Sequence, residues 1–240
     1  MTRGFTIALI GADGAGKTTV ARRLEHELGL PVRYLYMGDS KDSSNVMLPT
    51  TRAVRALKRR RGATPDRAGP RDHAELAKPR PRNPAKRALK ATKSGLRLAN
   101  QLAEEWYRQG LAWRGARRGE IVVFDRHFFS DYHAYDVAGA DLPLSRRIHG
   151  FFLSRVYPLP DLVIFLDAPP EVLFARKGEG TIEILRRRRE EYLALAELTE
   201  SFAVVDAARP LDEVTAQVVS LVRSFSATRR LDRTTAGSEA

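Results

Sequence analysis

Residues 5–19 read Phe-Thr-Ile-Ala-Leu-Ile-Gly-Ala-Asp-Gly-Ala-Gly-Lys-Thr-Thr, and this stretch decides the fold. Phe5–Ile10 is apolar without polar alternation, the pattern of a strand covered on both faces of a parallel sheet. Gly11-Ala12-Asp13-Gly14-Ala15-Gly16-Lys17-Thr18 fits G-x-x-x-x-G-K-[ST] at every fixed position. The glycines allow a tight turn whose N–H groups point inward at phosphate oxygens. From Lys17 to about Leu28, Val20, Leu24 and Leu28 fall on one helical stripe, and Gly29 and Pro31 stop it. A helix starting there presents its positive dipole end to the same anion. Lys17 then reaches the β- and γ-phosphates, and the Thr18 hydroxyl binds Mg²⁺.

Working outward, four more short apolar runs follow: Val32–Met37, Ile121–Phe124, Leu162–Leu166 and Phe202–Val205. Helical patterns separate them, over about 85–118, 129–156, 183–199 and 211–225. Five strands alternating with helices predict an α/β fold, a parallel sheet wrapped by helices on both faces. Ligands in such sheets sit at the carboxyl ends of strands. There the third strand ends in Asp125-Arg126-His127 and the fourth in Asp167. An acid at that position holds Mg²⁺ as a Walker-B acid does, or caps the next helix. An arginine beside it clamps a phosphate through two N–H groups, or makes a structural ion pair. His127 has no second metal ligand at a useful spacing and reads as a packed histidine.

Composition narrows the rest. The chain has 240 residues, no cysteine and a formal charge of +12. Without cysteine, disulfides, a Cys-based zinc site and a thiol nucleophile are excluded. No apolar run reaches the roughly 18 residues a membrane span needs. The opening apolar stretch runs straight into the glycine loop, so no signal peptide is expected, and a cytoplasmic location is. The charge is local: 16 basic and 3 acidic residues lie in 51–100, against 25 and 26 elsewhere. Prolines at 49, 65, 70, 79, 81 and 84 punctuate this region, with a short basic helix over Thr51–Arg61. Residues 38–95 are therefore expected to be a partly mobile basic insertion between core segments 1–37 and 96–225, and 226–240 a flexible tail.

Three further segments resemble the thymidylate kinase family. The phosphate loop carries that family's internal Asp13 and ends Lys17-Thr18-Thr19. Asp125-Arg126-His127 with Ser130 and Ala134-Tyr135 is similar to its D-R-[YH]…S…A-Y segment. Pro160–Asp167, then Pro169-Pro170-Glu171-Val172 and Arg176, resembles its P-D-L…L-D-x-x-P-E-V…R segment, and Val205-Asp206-Ala207 with Pro210-Leu211 its last strand and adenine-side loop. The resemblance covers residues 5–37 and roughly 100–223. It implies a P-loop kinase fold with the Asp125 strand beside the loop strand. It implies phosphoryl transfer from ATP, with Mg²⁺, to a nucleoside monophosphate: dTMP and ATP to dTDP and ADP.

Carried over by position, residues 11–19 (Gly11, Ala12, Asp13, Gly14, Ala15, Gly16, Lys17, Thr18, Thr19) bind the nucleotide. Asp13 faces the acceptor's sugar, Thr18 and Asp125 serve the metal, and Arg126 holds the acceptor phosphate. Arg176 opens a lid. Lys17, Asp125, Arg126 and Arg176 are the implied catalytic set, and a homodimer is plausible by the same resemblance.

The lid segment Arg176–Arg189 contains Gly178 and Gly180 and then Arg186–Arg189. A closing basic segment stabilises the charge of a phosphoryl transition state and excludes water. Four successive helical residues point around the whole axis, so only one or two can face a phosphate.

Two places depart from the family. Where it carries R-E-P-G, this chain reads Tyr36-Met37-Gly38-Asp39-Ser40. Trp106, Tyr107 and Arg108 offer the chemistry of its base-binding helix at shifted spacing, and Trp106 shares an apolar stripe with Leu98 and Leu102. A P-loop kinase of the same branch with another small-molecule acceptor therefore stands as an alternative. So does a nucleotide-binding protein whose basic insertion contacts nucleic acid or an anionic surface.

Overall fold

The computed structural model describes residues 4–38, 46–60, 84–137 and 142–236. Most of the basic insertion lies outside them. The strands are β1 (Thr6–Ile10), β2 (Val32–Tyr36), β3 (Ile121–Asp125), β4 (Leu162–Asp167) and β5 (Phe202–Asp206). The helices are α1 (Lys17–Glu27), α2 (Pro49–Arg60), α3 (Pro84–Arg117), α4 (Phe128–Tyr132), α5 (Leu144–Arg155), α6 (Pro170–Lys177), α7 (Ile182–Ala194) and α8 (Leu211–Ala236). A π-helical turn, His133–Val137, follows α4. No helix among the described residues is long and apolar enough to cross a membrane.

The strands form one parallel sheet in the order β2-β3-β1-β4-β5. The fold is α/β, of the P-loop kinase type, with helices packed along the sheet. Every residue of β1 and β3 is buried, which explains their lack of alternation. In register, Leu9 faces Asp125 and Ile10 faces Phe165. The DR strand thus adjoins the loop strand, as the resemblance implies.

Compactness divides the chain into two units: residues 1–35, 112–127 and 159–240, and residues 36–111 and 128–158. In the first, α8 continues past the expected stop at Phe225 to Ala236. Arg229 supplies the reason: it pairs with Asp161 at 2.7 Å, and its guanidinium lies 5.9 Å from the Phe5 ring and 5.7 Å from the Phe225 ring. Asp161 in turn accepts from Thr6 N at 2.7 Å and Thr6 Oγ1 at 2.8 Å, fixing the start of β1.

In the second unit, the helix expected to bury a Leu98–Leu102–Trp106 stripe instead buries Glu104, Glu105, Arg108 and Gln109. Each charged group there has partners that offset its desolvation. Both Glu104 oxygens accept from Leu48 N, at 3.2 and 3.1 Å. Arg108 donates to the Gly38 carbonyl at 3.1 Å. Trp106 packs against Tyr157, their rings tilted and their centroids 5.0 Å apart, which is a packing role.

Glu105 belongs to a buried charge cluster. His149 Nδ1 donates to Asp136 Oδ2 at 2.6 Å and Nε2 to Glu105 Oε1 at 3.0 Å, with Arg146 on Asp136 at 3.2 Å. Burial alone would lower the His149 pKa, but the two carboxylates outweigh it and raise it to about 9. The ring is therefore an imidazolium at neutral pH. Its stabilisation is complete below the ordinary value of about 6.5 and is lost as pH rises through about 9. A shift of this size corresponds to roughly 3 kcal/mol. The expected result is a thermal midpoint that falls several degrees between pH 6.5 and 9.5. The His149→Asn variant, melted by circular dichroism over the same range, lacks that step.

Candidate active site

The loop after β1 turns as only glycine permits. Gly11 and Gly14 have φ of 145° and 92°. A Cβ at Gly11 would lie 2.6 Å from the Leu166 carbonyl oxygen of β4, and one at Gly14 would lie 3.0 Å from that of Leu173 in α6. The loop is thus seated directly on its neighbours. Lys17, 5% exposed, donates from Nζ to the Ala12 carbonyl at 2.8 Å, so its charge lies within the loop's curve. Thr19 lies exposed on the first turn of α1.

Thr18 Oγ1 donates to Asp125 Oδ2 at 2.6 Å, and Tyr34 OH donates to the same oxygen at 2.8 Å. Asp125 is fully buried, and its Oδ1 has no hydrogen-bond partner among the described residues. A buried carboxylate oxygen without a donor is costly unless something positive meets it. The adjacent donors are a hydroxyl and a carboxylate, all oxygen. That set fits Mg²⁺, which takes one or two protein carboxylates and completes its shell with phosphate oxygens and water. No cluster of three or more His, Cys, Asp or Glu able to hold a metal occurs among the described residues.

Arg126 has φ 64°, the one positive value among described non-glycine residues. Such strain persists where surroundings enforce it and clusters at functional sites. Here Arg126 N donates to the Leu9 carbonyl at 3.1 Å, and the guanidinium is paired with Asp13. Lys177 Nζ and Arg188 Nη1 also face Asp13, at 3.8 and 3.9 Å. Burial would raise the Asp13 carboxyl, but Arg126, Lys17 and Lys177 together overcome it and bring it down to about 2. His127 is buried against Phe124, ring centroids 5.0 Å apart, and burial lowers it to about 3, so it is neutral.

Arg176 stands apart from this cluster. Its guanidinium donates to the Ala207 and Ala208 carbonyls beyond β5, at 2.8 and 3.3 Å. The lid arginines separate by direction. Arg186 and Arg187 are exposed, near Glu171 at 3.7 Å and Glu191 at 3.3 Å. Arg189 grips Asp167 at two points, and Arg188 turns toward Asp13.

The structure therefore gathers Asp13, Lys17, Thr18, Asp125 and Arg126 at the carboxyl ends of β1 and β3. The sequence reading had not singled out Tyr34 or Lys177. Lys177 directly follows Arg176, a signal that was present; Tyr34 becomes visible only when β2 is placed beside β3.

Residues 97–218, just over half of the chain, match the sequence model of the thymidylate kinase family. The chain belongs to the thymidylate kinase family. It is a kinase, a phosphotransferase. A probable thymidylate kinase of Archaeoglobus fulgidus is 29% identical over 231 residues, covering 91% of this chain and 95% of its own. One from Sulfolobus acidocaldarius is 25% identical over 92% of this chain and 97% of its own. A third, from Thermococcus gammatolerans, is 26% identical over 91% and 96%.

Proposed function

We propose that this thymidylate kinase family member transfers the γ-phosphoryl group of ATP to a nucleoside monophosphate, with dTMP the first acceptor to try. The observation that carries this reading is the convergence of Lys17, Thr18, Asp125, Arg126 and Asp13 at two adjacent strand ends. Phosphoryl transfer requires little covalent chemistry from the protein; positioning and charge supply the rate. In this reading the loop amides and Lys17 hold the triphosphate. Thr18 and Asp125 hold Mg²⁺, which when bound neutralises charge on the phosphates. Arg126 passes from Asp13 to the acceptor phosphate, leaving the Asp13 carboxylate to accept from a sugar hydroxyl. Arg188 meets charge developing on the transferred group. Arg176 braces the Ala207–Ala208 loop on the adenine side. A cytoplasmic location, where both nucleotides are available, belongs to the same reading.

A second acceptor class is favoured by one observation. The helix that offers the family's base-binding chemistry at shifted spacing buries Arg108, whose Nε has no hydrogen-bond partner among the described residues, a cation suited to an anionic group more than to a methylated base. The test is ADP release from Mg·ATP over a panel of dTMP, dUMP, the other nucleoside monophosphates and sugar phosphates. Stimulation by at least tenfold with a nucleoside monophosphate supports the first reading. Stimulation by sugar phosphates alone supports the second.

A further inference from the structure

Asp167 ends β4, the strand next to the phosphate-loop strand. Its two oxygens receive Arg189 Nε at 2.6 Å and Arg189 Nη2 at 2.7 Å. A fork-to-fork pair of this kind fixes direction as well as distance. Arg189 lies on α7, and its neighbour in sequence, Arg188, projects about 100° away around the helix. With Arg189 held at the strand end, that rotation carries Arg188 to within 3.9 Å of Asp13 in the phosphate loop. Arg188 is 16% exposed, whereas Arg186 and Arg187 are 56% and 47% exposed with surface glutamates for partners. One of four consecutive arginines is thus selected by where the fourth is anchored.

We propose that Asp167 is a positioning residue for phosphoryl transfer: by holding Arg189 it sets the rotation of α7 that aims Arg188 at the phosphate loop. This rests on the phosphoryl-transfer reading above and deepens it. The Asp167–Arg189 pair is half open to solvent on the arginine side, so its contribution to stability is small. Its contribution is to the direction of a side chain, and misplacing a charged group by about 1 Å can cost on the order of 100-fold in rate.

The experiment compares Asp167→Asn, Arg188→Ala, their double variant and Arg187→Ala. ADP release from Mg·ATP is followed with dTMP as acceptor and with water alone. Mg·ATP affinity is measured by calorimetry, and hydrogen exchange is followed over α7. The expected results are a kcat about 100-fold lower in Arg188→Ala, about 10-fold lower in Asp167→Asn, and unchanged in Arg187→Ala. The Mg·ATP Kd of Asp167→Asn stays within about threefold and its Tm within about 2 °C, because the pair adds little stability. Its α7 amides exchange faster. The double variant is no slower than Arg188→Ala, since Asp167 acts only through Arg188.

The proposal is overturned if the Asp167→Asn loss multiplies fully onto Arg188→Ala, or if Asp167→Asn keeps wild-type kcat while Arg188→Ala does not. A silent Arg188→Ala removes the lid arginine and the proposal together. If wild-type protein releases no ADP in either arm, the series is run with the acceptor that the panel identifies; no ADP release with any acceptor overturns the phosphoryl-transfer reading itself.

Discussion

Lys17→Ala is expected to lower ATP turnover by about 10³-fold, the scale of losing one preorganised charge from a transition state. Lys17 is almost fully buried, and its ammonium rests on the Ala12 carbonyl inside the loop. Arg126, Lys177 and Arg188 face Asp13, on the same loop. Alanine leaves the backbone amides in place, so triphosphate binding weakens less than turnover, by about tenfold. Steady-state ADP release and calorimetry separate the two quantities. Turnover within threefold of wild type would remove the phosphate role from the loop. The charge that Lys17 also lends to Asp13 supplies an independent check. Without it, the Asp13 carboxyl moves up from about 2 toward the usual range, a change that carboxylate NMR reads directly.

Asp125→Asn has the second large effect. Asparagine keeps the shape, and its amide oxygen still accepts from Thr18 and Tyr34, which now meet one Asp125 oxygen at 2.6 and 2.8 Å. What it loses is the charge, and with it the oxygen that has no partner among the described residues. The expected result is a kcat at least 100-fold lower, with a Kd for ATP within about threefold and a half-saturating Mg²⁺ concentration shifted upward. An equal loss of turnover and affinity, with a lowered Tm, would mark Asp125 as a fold-supporting residue.

The phosphate loop was legible because its chemistry is local. Eight consecutive residues set the turn, and the apolar run before it and the helical stripe after it are also read from neighbours in sequence. Thr18 and Asp125, 107 residues apart, were each legible as metal-serving residues from the loop motif and the strand-end rule, and the family resemblance placed their strands side by side. Tyr34 on Asp125 was not legible, because it depends on β2 lying beside β3, a tertiary fact.

Helix α3 shows a different limit. Its hydrophobic period pointed to Leu98, Leu102 and Trp106, yet its buried positions include Glu104, Glu105, Arg108 and Gln109 beside Ala112 and Ala116. Periodicity locates a helix but assigns its covered face by polarity. That rule fails where buried charges have partners such as His149, Leu48 N and the Gly38 carbonyl. The run Arg186–Arg189 is legible as charge alone. Which arginine faces the loop follows from the rotation of α7, a tertiary fact to which the buried Leu185 and Tyr192 and the Asp167–Arg189 pair contribute.

The most direct test of phosphoryl transfer to a nucleoside monophosphate follows the γ-phosphate itself. Wild-type protein is incubated with Mg²⁺, ATP and dTMP, and products are resolved by ³¹P NMR. The account predicts that ADP and a new nucleoside diphosphate appear in equal amounts, with free phosphate a minor product and no diphosphate formed by Lys17→Ala. ADP accompanied only by inorganic phosphate, with dTMP and every other nucleoside monophosphate unchanged, would contradict it.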